Sequence, residues 1–405
     1  MSYLVSVIRH FDAAHFLRGY AGKCEALHGH RYQVRLCLKR EELDNLGMAF
    51  DFTLVKKELD KIGVSWRACG LETGVLATIQ GAKPGKTILI RGDMDALTVN
   101  EETGLPFASQ NPGVMHACGH DCHVSMLLTA AHILNDMKND LCGTVKLAFQ
   151  PAEEIAVGAK SMVEQGALDG VDGCFAIHVW SDVESGRISC EAGPRMASAD
   201  QFKIDVKGKG GHGAAPHQCI DAAVVSSAIV SNLQTIISRE VAPMDPAVVT
   251  IGTMQVGSRW NVVPEYGHLE GTTRCFSREV WKDFPDMLDR IAGDTAKAFR
   301  AEATLEYIRL VPPTINDEMM ASVVQAAASK VVSENAPVTS PATTGGEDFA
   351  FFLEKAPGAI ALLGVRNEAC NAVWPQHSGK YCVDENALIG GAMLYAQVAM
   401  DFNAQ

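Results

Sequence analysis

Short apolar strands alternate with helical segments along the chain, and this alternation constrains the fold more than any other feature. The predicted order is strand Thr87–Ile90, helix Cys118–Met137, strand Thr144–Phe149, helix Gly158–Gln165 and strand Gly173–Val179. Strands that alternate with helices usually form parallel sheets, because two parallel strands need a crossover connection between them and a helix provides it. The sequence therefore predicts an α/β layer with a mostly parallel sheet and with polar sites at the carboxyl ends of its strands.

A different pattern lies between residues 195 and 309. This segment reads as strand, helix, strand, strand, helix and strand, which is the ferredoxin-like βαββαβ order. The α/β pattern resumes after it, with a helix, a strand and a terminal helix. We therefore predict a small domain at 195–309, inserted into a larger domain that is made of 56–194 and 310–405.

Composition excludes several classes of protein. Of the 405 residues, 47% are apolar and 20% are charged, which is typical of a globular chain and not of a disordered one. Lys and Arg total 35 against 48 for Asp and Glu, so the net charge is −13. Nucleic acids and anionic membranes need a basic surface, and we expect neither as a partner. An anionic small substrate needs only a local cation.

Location is predicted from apolar runs and cysteines. The longest apolar stretches, Ala356–Val365 and Ala387–Met400, are shorter than the roughly 18–20 residues of a membrane helix. Residues 1–12 do not resemble a secretion signal. The 12 cysteines have no framework spacing, which favours reduced thiols in the cytoplasm.

Metal-binding residue types cluster in the predicted α/β domain. The segment His116–His123 reads HACGHDCH, and further candidates follow the later strands. Thiolate, imidazole and carboxylate groups together are ligands that borderline divalent metals prefer. The candidate ligands are Cys118, His120, Glu154, His178 and His377. Five ligands exceed a closed four-ligand zinc site, and they fit two ions that share a bridging ligand and leave positions open for water and substrate.

Neighbouring carboxylates at Glu153 and Glu154 can divide two roles between them. Glu154 can hold a metal while Glu153 takes a proton from water and returns it to a leaving amine. Taken singly, each candidate has a simpler interpretation: a buried thiol, a core histidine or a solvated acidic pair. Their shared position at strand ends favours a site. His116 and His123 either support a ligand or lie on the surface.

Seven motifs resemble the zinc-peptidase family of hippurate hydrolases, N-acyl-amino-acid amidohydrolases and indole-acetyl-amino-acid hydrolases. They occur in the order Arg91–Leu97 (RGDMDAL), Met115–Asp121 (MHACGHD), Phe149–Glu154 (FQPAEE), Gly208–His212 (GKGGH), Asn261–Pro264 (NVVP), Gly271–Arg274 (GTTR) and Gly345–Phe349 (GGEDF). The resemblance runs from about residue 56 to 405. It implies a metallopeptidase-like catalytic domain with an inserted dimerisation domain.

The resemblance also implies roles for individual residues. The metal positions are the five candidates given above, Glu153 is the general base, and Asp95 supports the metal site. His212 polarises the scissile carbonyl in a neighbouring active site, which implies a homodimer, and Asn261 and Arg274 hold the substrate carboxylate. The implied reaction is hydrolysis of the amide bond in an N-acyl amino acid or peptide by metal-activated water. The sequence leaves open the acyl group, the amino acid and the metal, because Zn, Mn, Co and Ni all accept these ligands.

Residues 1–55 depart from that family, which usually begins with a different helix. They resemble the first half of 6-pyruvoyl-tetrahydropterin synthase and 6-carboxytetrahydropterin synthase in the motifs Phe11–His15 (FDAAH), Lys23–Glu25 (KCE), Leu27–His30 (LHGH) and Gly47–Phe52 (GMAFDF), and in Tyr32. The resemblance implies a zinc site at His15, His28 and His30 and a vestigial base at Cys24. Solvated loop histidines are the alternative.

At the junction between residues 1–55 and residues 56–405, the sequence predicts a single helix that belongs to both parts of the chain. Leu54, Val55, Leu59 and Ile62 keep a helical apolar spacing through it. Three functions remain open at this point. The leading one is a metal-dependent amidohydrolase, and the others are a pterin-synthase-like activity and a catalytically impaired metal-binding fusion protein.

Overall fold

The alternation of strands and helices is present in the structure, a computed structural model that describes residues 3–15, 28–40 and 52–405. The strands are β1 Tyr3–His15, β2 His28–Arg40, β3 Ser65–Ala68, β4 Val75–Gln80, β5 Lys83–Asp93, β6 Cys142–Gln150, β7 Gly173–Glu184, β8 Ile188–Ser189, β9 Gly193–Met196, β10 Ala199–Lys207, β11 Gly211–His212, β12 Ala247–Val256, β13 Val262–Val263, β14 Tyr266–Cys275, β15 Glu302–Val311, β16 Thr314–Asn316 and β17 Gly358–Arg366. The helices are α1 Phe52–Lys61, α2 His120–Asp136, α3 Gly158–Glu164, α4 Ala222–Thr235, α5 Arg278–Ala298, α6 Glu318–Val331, α7 Ala350–Leu353 and α8 Asn386–Asn403.

Two units share this chain. The first comprises Met1–Gly193, Asn316–Ser340 and Phe351–Gln405, and the second comprises Pro194–Ile315 and Pro341–Ala350. The segment Pro341–Ala350 is bound to the rest of the second unit by backbone hydrogen bonds, among them one from the amide of Thr343 to the carbonyl of Arg195 at 2.9 Å.

The first unit is built on a seven-stranded sheet with the order β3-β4-β6-β5-β7-β17-β8. The four central strands, β6, β5, β7 and β17, are parallel, as the alternation predicts. The edge pairs β3–β4, β4–β6 and β17–β8 are antiparallel, so the complete sheet is mixed. A short turn suffices to join antiparallel strands, and only six residues separate β3 from β4.

Helices α2 and α8 supply much of the apolar core against this sheet. Val124 and Leu127 of α2 and Leu394 and Phe402 of α8 are buried with the strand side chains. The apolar run Ala387–Met400 therefore belongs to a core helix. Among the helices of the described residues, none combines the length and the apolarity needed to cross a bilayer.

The junction helix α1 runs unbroken from Phe52 to Lys61. Val55 and Leu59 are buried in the core of the first unit, and Ile62 packs against it. The side-chain amide of Asn135 donates to the carbonyl of Ile62 at 2.9 Å, which anchors the end of α1 to α2. The predicted helix is thus present, and its service to both pieces of the chain stays a prediction.

The second unit contains a four-stranded antiparallel sheet with the order β12-β14-β10-β15. Helices α4 and α5 occupy the two helical positions, so the predicted ferredoxin-like order is confirmed. Each helix begins at a capping side chain: Asp221 accepts from the amide of Ala223 and Ser277 from that of Val280. Helix α4 ends at Thr235, and a π-helical turn follows it at Ile236–Glu240.

Candidate metal centre

Two strand ends position the acidic residues of the site. Strand β5 ends at Asp93 and β6 at Gln150, and these two residues are partners in the parallel register. Asp95 follows the first strand, and the turn that carries Glu153 and Glu154 follows the second. The prediction of strand-end carboxylates is thereby confirmed in geometry.

His178 departs from this pattern, because it lies inside β7 and not after it. Strand β7 continues past β5: its last partner there is Ala176, which pairs with Arg91, while Leu362 of β17 pairs with His178. His178 therefore lies just beyond the residues of β7 that pair with β5, although β7 itself continues to Glu184.

Gly119 allows Cys118 and His120 to point at the same place. Its φ of 82° lies in the left-handed region, where side chains are strained, and α2 begins at the next residue. A Cβ atom at Gly119 would lie 2.4 Å from Cγ2 of Val179, so the close approach also requires glycine. As a result the Sγ of Cys118 lies 3.5 Å from Nε2 of His178.

The ring of His178 is held in its neutral form. Its Nδ1 donates to the carbonyl of Val179 at 2.7 Å, which leaves the lone pair of Nε2 facing Cys118. Burial, together with the nearby His123, holds the pKa of His178 well below its usual value. A neutral imidazole with a fixed tautomer is the form that binds divalent metals.

Glu154 and His377 complete the cluster. The Oε1 of Glu154 lies 3.9 Å from Nε2 of His120 and 3.5 Å from Nε2 of His377. His377 has a φ of 66°, and its backbone amide donates to the carbonyl of Ala117 at 2.8 Å. Two overlapping groups have all their ligand atoms within 4.8 Å of one another: Cys118 with His120 and His178, and Cys118 with Glu154 and His377.

Unsatisfied polar atoms test whether this cluster fits metal ions. Within the described residues, Nε2 of His120 and Oε1 of Glu154 are buried and make no hydrogen bond. Leaving a buried polar group unpaired costs about 1–3 kcal/mol. A divalent cation among these atoms would remove that cost, so the donor set fits the metal pair.

Asp95 organises the acidic turn. Its Oδ1 accepts from the amide of Glu153 at 3.0 Å and its Oδ2 from the amide of Glu154 at 3.1 Å. Its Oδ1 also lies 3.3 Å from Nδ1 of His120. Burial opposes the charged form, but these contacts outweigh it and hold the pKa of Asp95 below its usual value. His116 joins the same group, with Nδ1 3.1 Å from the carbonyl of Asp95.

A buried triad lies behind the cluster, and the sequence predicts no role for two of its members and only a supporting role, as one of two alternatives, for His123. Arg91, Asp93 and His123 are fully buried, and the Arg91 guanidinium lies 2.7 Å from Oδ2 of Asp93. The Nδ1 of His123 contacts Oδ1 of Asp93, and its Nε2 accepts from the amide of Val179 at 2.9 Å. Both ring nitrogens are used, so His123 positions Val179 and is not free to bind metal. The surface alternative for His123 is wrong. For Arg91 and Asp93 the sequence offered one signal, because these charged residues directly follow the apolar strand Thr87–Ile90.

Three predicted site residues lie in the second unit. His212 ends the short strand β11, whose partner β13 begins directly after Asn261. The amide of Gly213 donates to the carbonyl of Asn261 at 3.0 Å, so the structure brings the His212 and Asn261 segments together. Arg274 lies separately on β14, opposite Val248 of β12.

The N-terminal candidates are only partly described. Strands β1 and β2 are antiparallel, with His15 opposite His28 and Ala13 opposite His30. The register therefore places the three histidines at one end of the pair. Cys24 lies outside the described residues, and the zinc site stays a prediction.

Two family models match this chain. The model described as peptidase family M20/M25/M40 matches residues 89–401, and the model described as 6-pyruvoyl tetrahydropterin synthase matches residues 4–86. Both resemblances drawn from the sequence are confirmed. The second match extends past residue 55 into β3 and β4, two strands that the structure includes in the large sheet.

The chain is also similar to individual proteins, whose descriptions are consistent with the peptidase family. Thermostable carboxypeptidase 1 of Saccharolobus solfataricus is 41% identical over 356 residues, covering 86% of this chain and 89% of that protein. N-acetyl-L-cysteine deacetylase of Bacillus subtilis is 38% identical over 363 residues, with coverages of 89% and 83%. The crystal structure of the Bacillus subtilis YXEP protein, described as a dinuclear metal binding peptidase from M20 family, has a TM-score of 0.76 and 35% identity and covers 86% of this chain and 90% of that one. The chain therefore belongs to peptidase family M20/M25/M40 and is a metal-dependent hydrolase of amide bonds.

Proposed function

We propose that the protein hydrolyses the amide bond of N-acyl amino acids, with Glu153 as the general base. The observation that carries this proposal is the convergence of a thiol, three imidazoles and a carboxylate beside Glu153 in the first unit. The relative named N-acetyl-L-cysteine deacetylase acts on a compound of this class, which supports the choice of substrate.

We assign two divalent ions to the five clustered side chains, with Cys118 shared because it belongs to both groups. When bound, such ions act as Lewis acids that polarise a carbonyl and lower the pKa of water. Burial raises the pKa of the Cys118 thiol to about 12, so ions must displace its proton on binding. Zn or Mn suits this donor set best, and Co or Ni also fits.

Glu153 moves the proton in this scheme. Asp95 accepts hydrogen bonds from the backbone amides of both glutamates, which fixes the turn that carries the two carboxylates. Glu154 lies close to both His120 and His377, so we assign the metal to Glu154 and the proton transfer to Glu153. Glu153 accepts a proton from the attacking water and delivers it to the leaving amine.

His212 is assigned to the oxyanion. Its Nδ1 accepts from the amide of Ala214 at 3.0 Å, so in the neutral ring Nε2 carries the proton and can donate to a developing negative charge. The family resemblance implies that it acts in a neighbouring subunit of a homodimer.

Mixing His212→Ala chains with Glu153→Gln chains, each inactive alone, is then expected to restore part of the activity. Mixtures that stay inactive although the chains form mixed dimers would contradict the shared site.

Arg274 and Asn261 are assigned to the substrate carboxylate. A hydrogen bond to a charged group contributes about 1.5–3 kcal/mol, so Arg274→Met is expected to raise KM about 10–100-fold. The effect should disappear with N-acyl amino acid amides, which carry no carboxylate. Lys203→Met on the neighbouring strand is the matched control and should leave both substrates unaffected. An equal loss for acid and amide substrates would show that Arg274 does not read the carboxylate.

The function as a whole is tested with the purified full chain loaded with Zn²⁺ or Mn²⁺. We expect amine release from a panel of N-acyl amino acids, loss of release after chelation, and recovery when the metal is returned. Bound metal without release from any member of the panel would instead support the impaired fusion protein. Turnover of dihydroneopterin triphosphate would support the pterin alternative.

A further inference from the structure

The loop that carries His377 is closed at its base by hydrogen bonds. The side-chain amide of Asn367 donates to Oδ2 of Asp384 at 2.8 Å, and Asn367 pairs with Ala372 in an antiparallel bridge. Between these points the chain is irregular, and His377 has a side chain that is 56% exposed. This candidate ligand therefore depends on loop geometry, whereas His120 and His178 lie on a helix and a strand.

Two cysteines lie on the same loop, one on each side of His377. Cys370 is exposed, and its Sγ lies 3.6 Å from the carbonyl oxygen of Asn367. The Sγ of Cys382 lies 3.3 Å from the carbonyl oxygen of Asn371, the residue directly after Cys370. Both thiols thus contact the short turn 367–371. Burial raises the pKa of Cys382, and the neighbouring Cys370 raises it further, which agrees with their proximity.

We propose that Cys370 and Cys382 form a reversible disulfide that switches the metal centre off, an inference that rests on the proposed role of His377. The thiolate of Cys370 attacks a low-molecular-weight disulfide and expels one thiolate, which leaves a mixed disulfide. Cys382 then attacks the sulfur of Cys370 and expels the second. Two protein thiols are oxidised, the small disulfide is reduced to two thiols, and the two protons pass to them.

The disulfide acts on His377 through the loop. A bond to Cys370 replaces the contact of the Cys382 sulfur with the carbonyl of Asn371, and it closes a covalent ring that constrains the segment 371–381, which carries His377. His377 is sensitive to such a constraint because its φ of 66° is held by the surrounding chain and by the hydrogen bond that its amide donates to the carbonyl of Ala117. Reversible disulfides between accessible thiols are the form that redox sensing takes in reducing compartments.

The test uses the full chain with its metal, exposed to oxidised glutathione and then digested with trypsin without reduction. Trypsin cleaves after Arg366 and Lys380, and the sequence beyond Lys380 contains no further Lys or Arg. A Cys370–Cys382 bond therefore joins two peptides, 367–380 and 381–405, into one species that is lighter than their sum by two hydrogens. We expect this species, and a fall in kcat/KM of about tenfold or more that dithiothreitol reverses.

Cys370→Ser separates the proposal from general oxidation. This variant should form no crosslink and keep its activity in oxidised glutathione, while Cys142→Ser, at a partly buried cysteine elsewhere, should behave as the unaltered chain. Glutathione attached to Cys370 without a crosslink would overturn the proposal, and so would a crosslink with unchanged activity or equal inactivation of Cys370→Ser. The crosslink is read by mass, so this part of the result does not depend on whether N-acyl amino acids are the substrates, and its absence is distinguishable from a failure of the proposed function.

Discussion

Replacing Glu153 by glutamine is expected to lower kcat for amide hydrolysis by about 10²–10⁴-fold, while the protein keeps its metal ions. The substitution preserves the shape of the side chain and removes its ability to take a proton. The five side chains to which we assign the metal ions are all unchanged by this substitution, and so is the contact of Asp95 with the backbone amide of residue 153. Steady-state kinetics and metal analysis of the same sample provide the two measurements.

The neighbouring residue supplies the matched control. Glu154→Gln changes the same functional group one position along, but its carboxylate faces His120 and His377. This variant should lose bound metal, and excess metal should restore part of its activity. Glu153→Gln should show no such rescue. If the two variants behaved alike in metal content, the division of roles between the glutamates would be wrong.

Sequence patterns predicted the elements of both units because each pattern has a direct physical cause. Short apolar strands and apolar helices form wherever their side chains can be buried, and β17 and α8, most of whose residues are buried, illustrate this. Sheet edges were less accessible to sequence reasoning. The positions of the antiparallel strands β3, β4 and β8 depend on which strands of the assembled sheet still have an unpaired edge. No local sequence pattern encodes that.

The metal candidates could be predicted for a similar reason. Cys118 and His120 are two residues apart, and Glu154 follows a strand, so local geometry already directs them to one edge of the sheet. Asp93 and His123 could not be assigned in this way. Their roles depend on a contact between β5 and α2 and on the amide of Val179 from β7, and only the assembled fold brings these three elements together.

Replacing Asp93 by asparagine is expected to lower the free energy of unfolding of the metal-free chain by about 3–5 kcal/mol, because it leaves a buried guanidinium without its counter-charge. Arg91 and Asp93 have no exposed side-chain surface and are 2.7 Å apart. Asparagine has nearly the same shape, so the loss reports charge and not packing. Urea unfolding of chelated protein gives the measurement, and chelation keeps metal binding out of the comparison.

An exposed ion pair gives the control for Asp93→Asn, and acid gives a second test. Glu58→Gln breaks the pair with Lys61, whose side chain is 66% exposed, and should change the free energy of unfolding by only about 0–1 kcal/mol. Burial opposes the charge of Asp93, but Arg91, His120 and His123 outweigh it and hold the pKa well below its usual value. A carboxyl group with a lowered folded-state pKa stabilises the fold above its unfolded pKa of about 3.9, and this stabilisation is lost as the pH falls through the folded value. The difference between the unaltered chain and Asp93→Asn should therefore be constant near neutral pH and shrink only in strong acid. A difference no larger than that of Glu58→Gln at neutral pH would mean that Arg91 does not depend on this carboxylate.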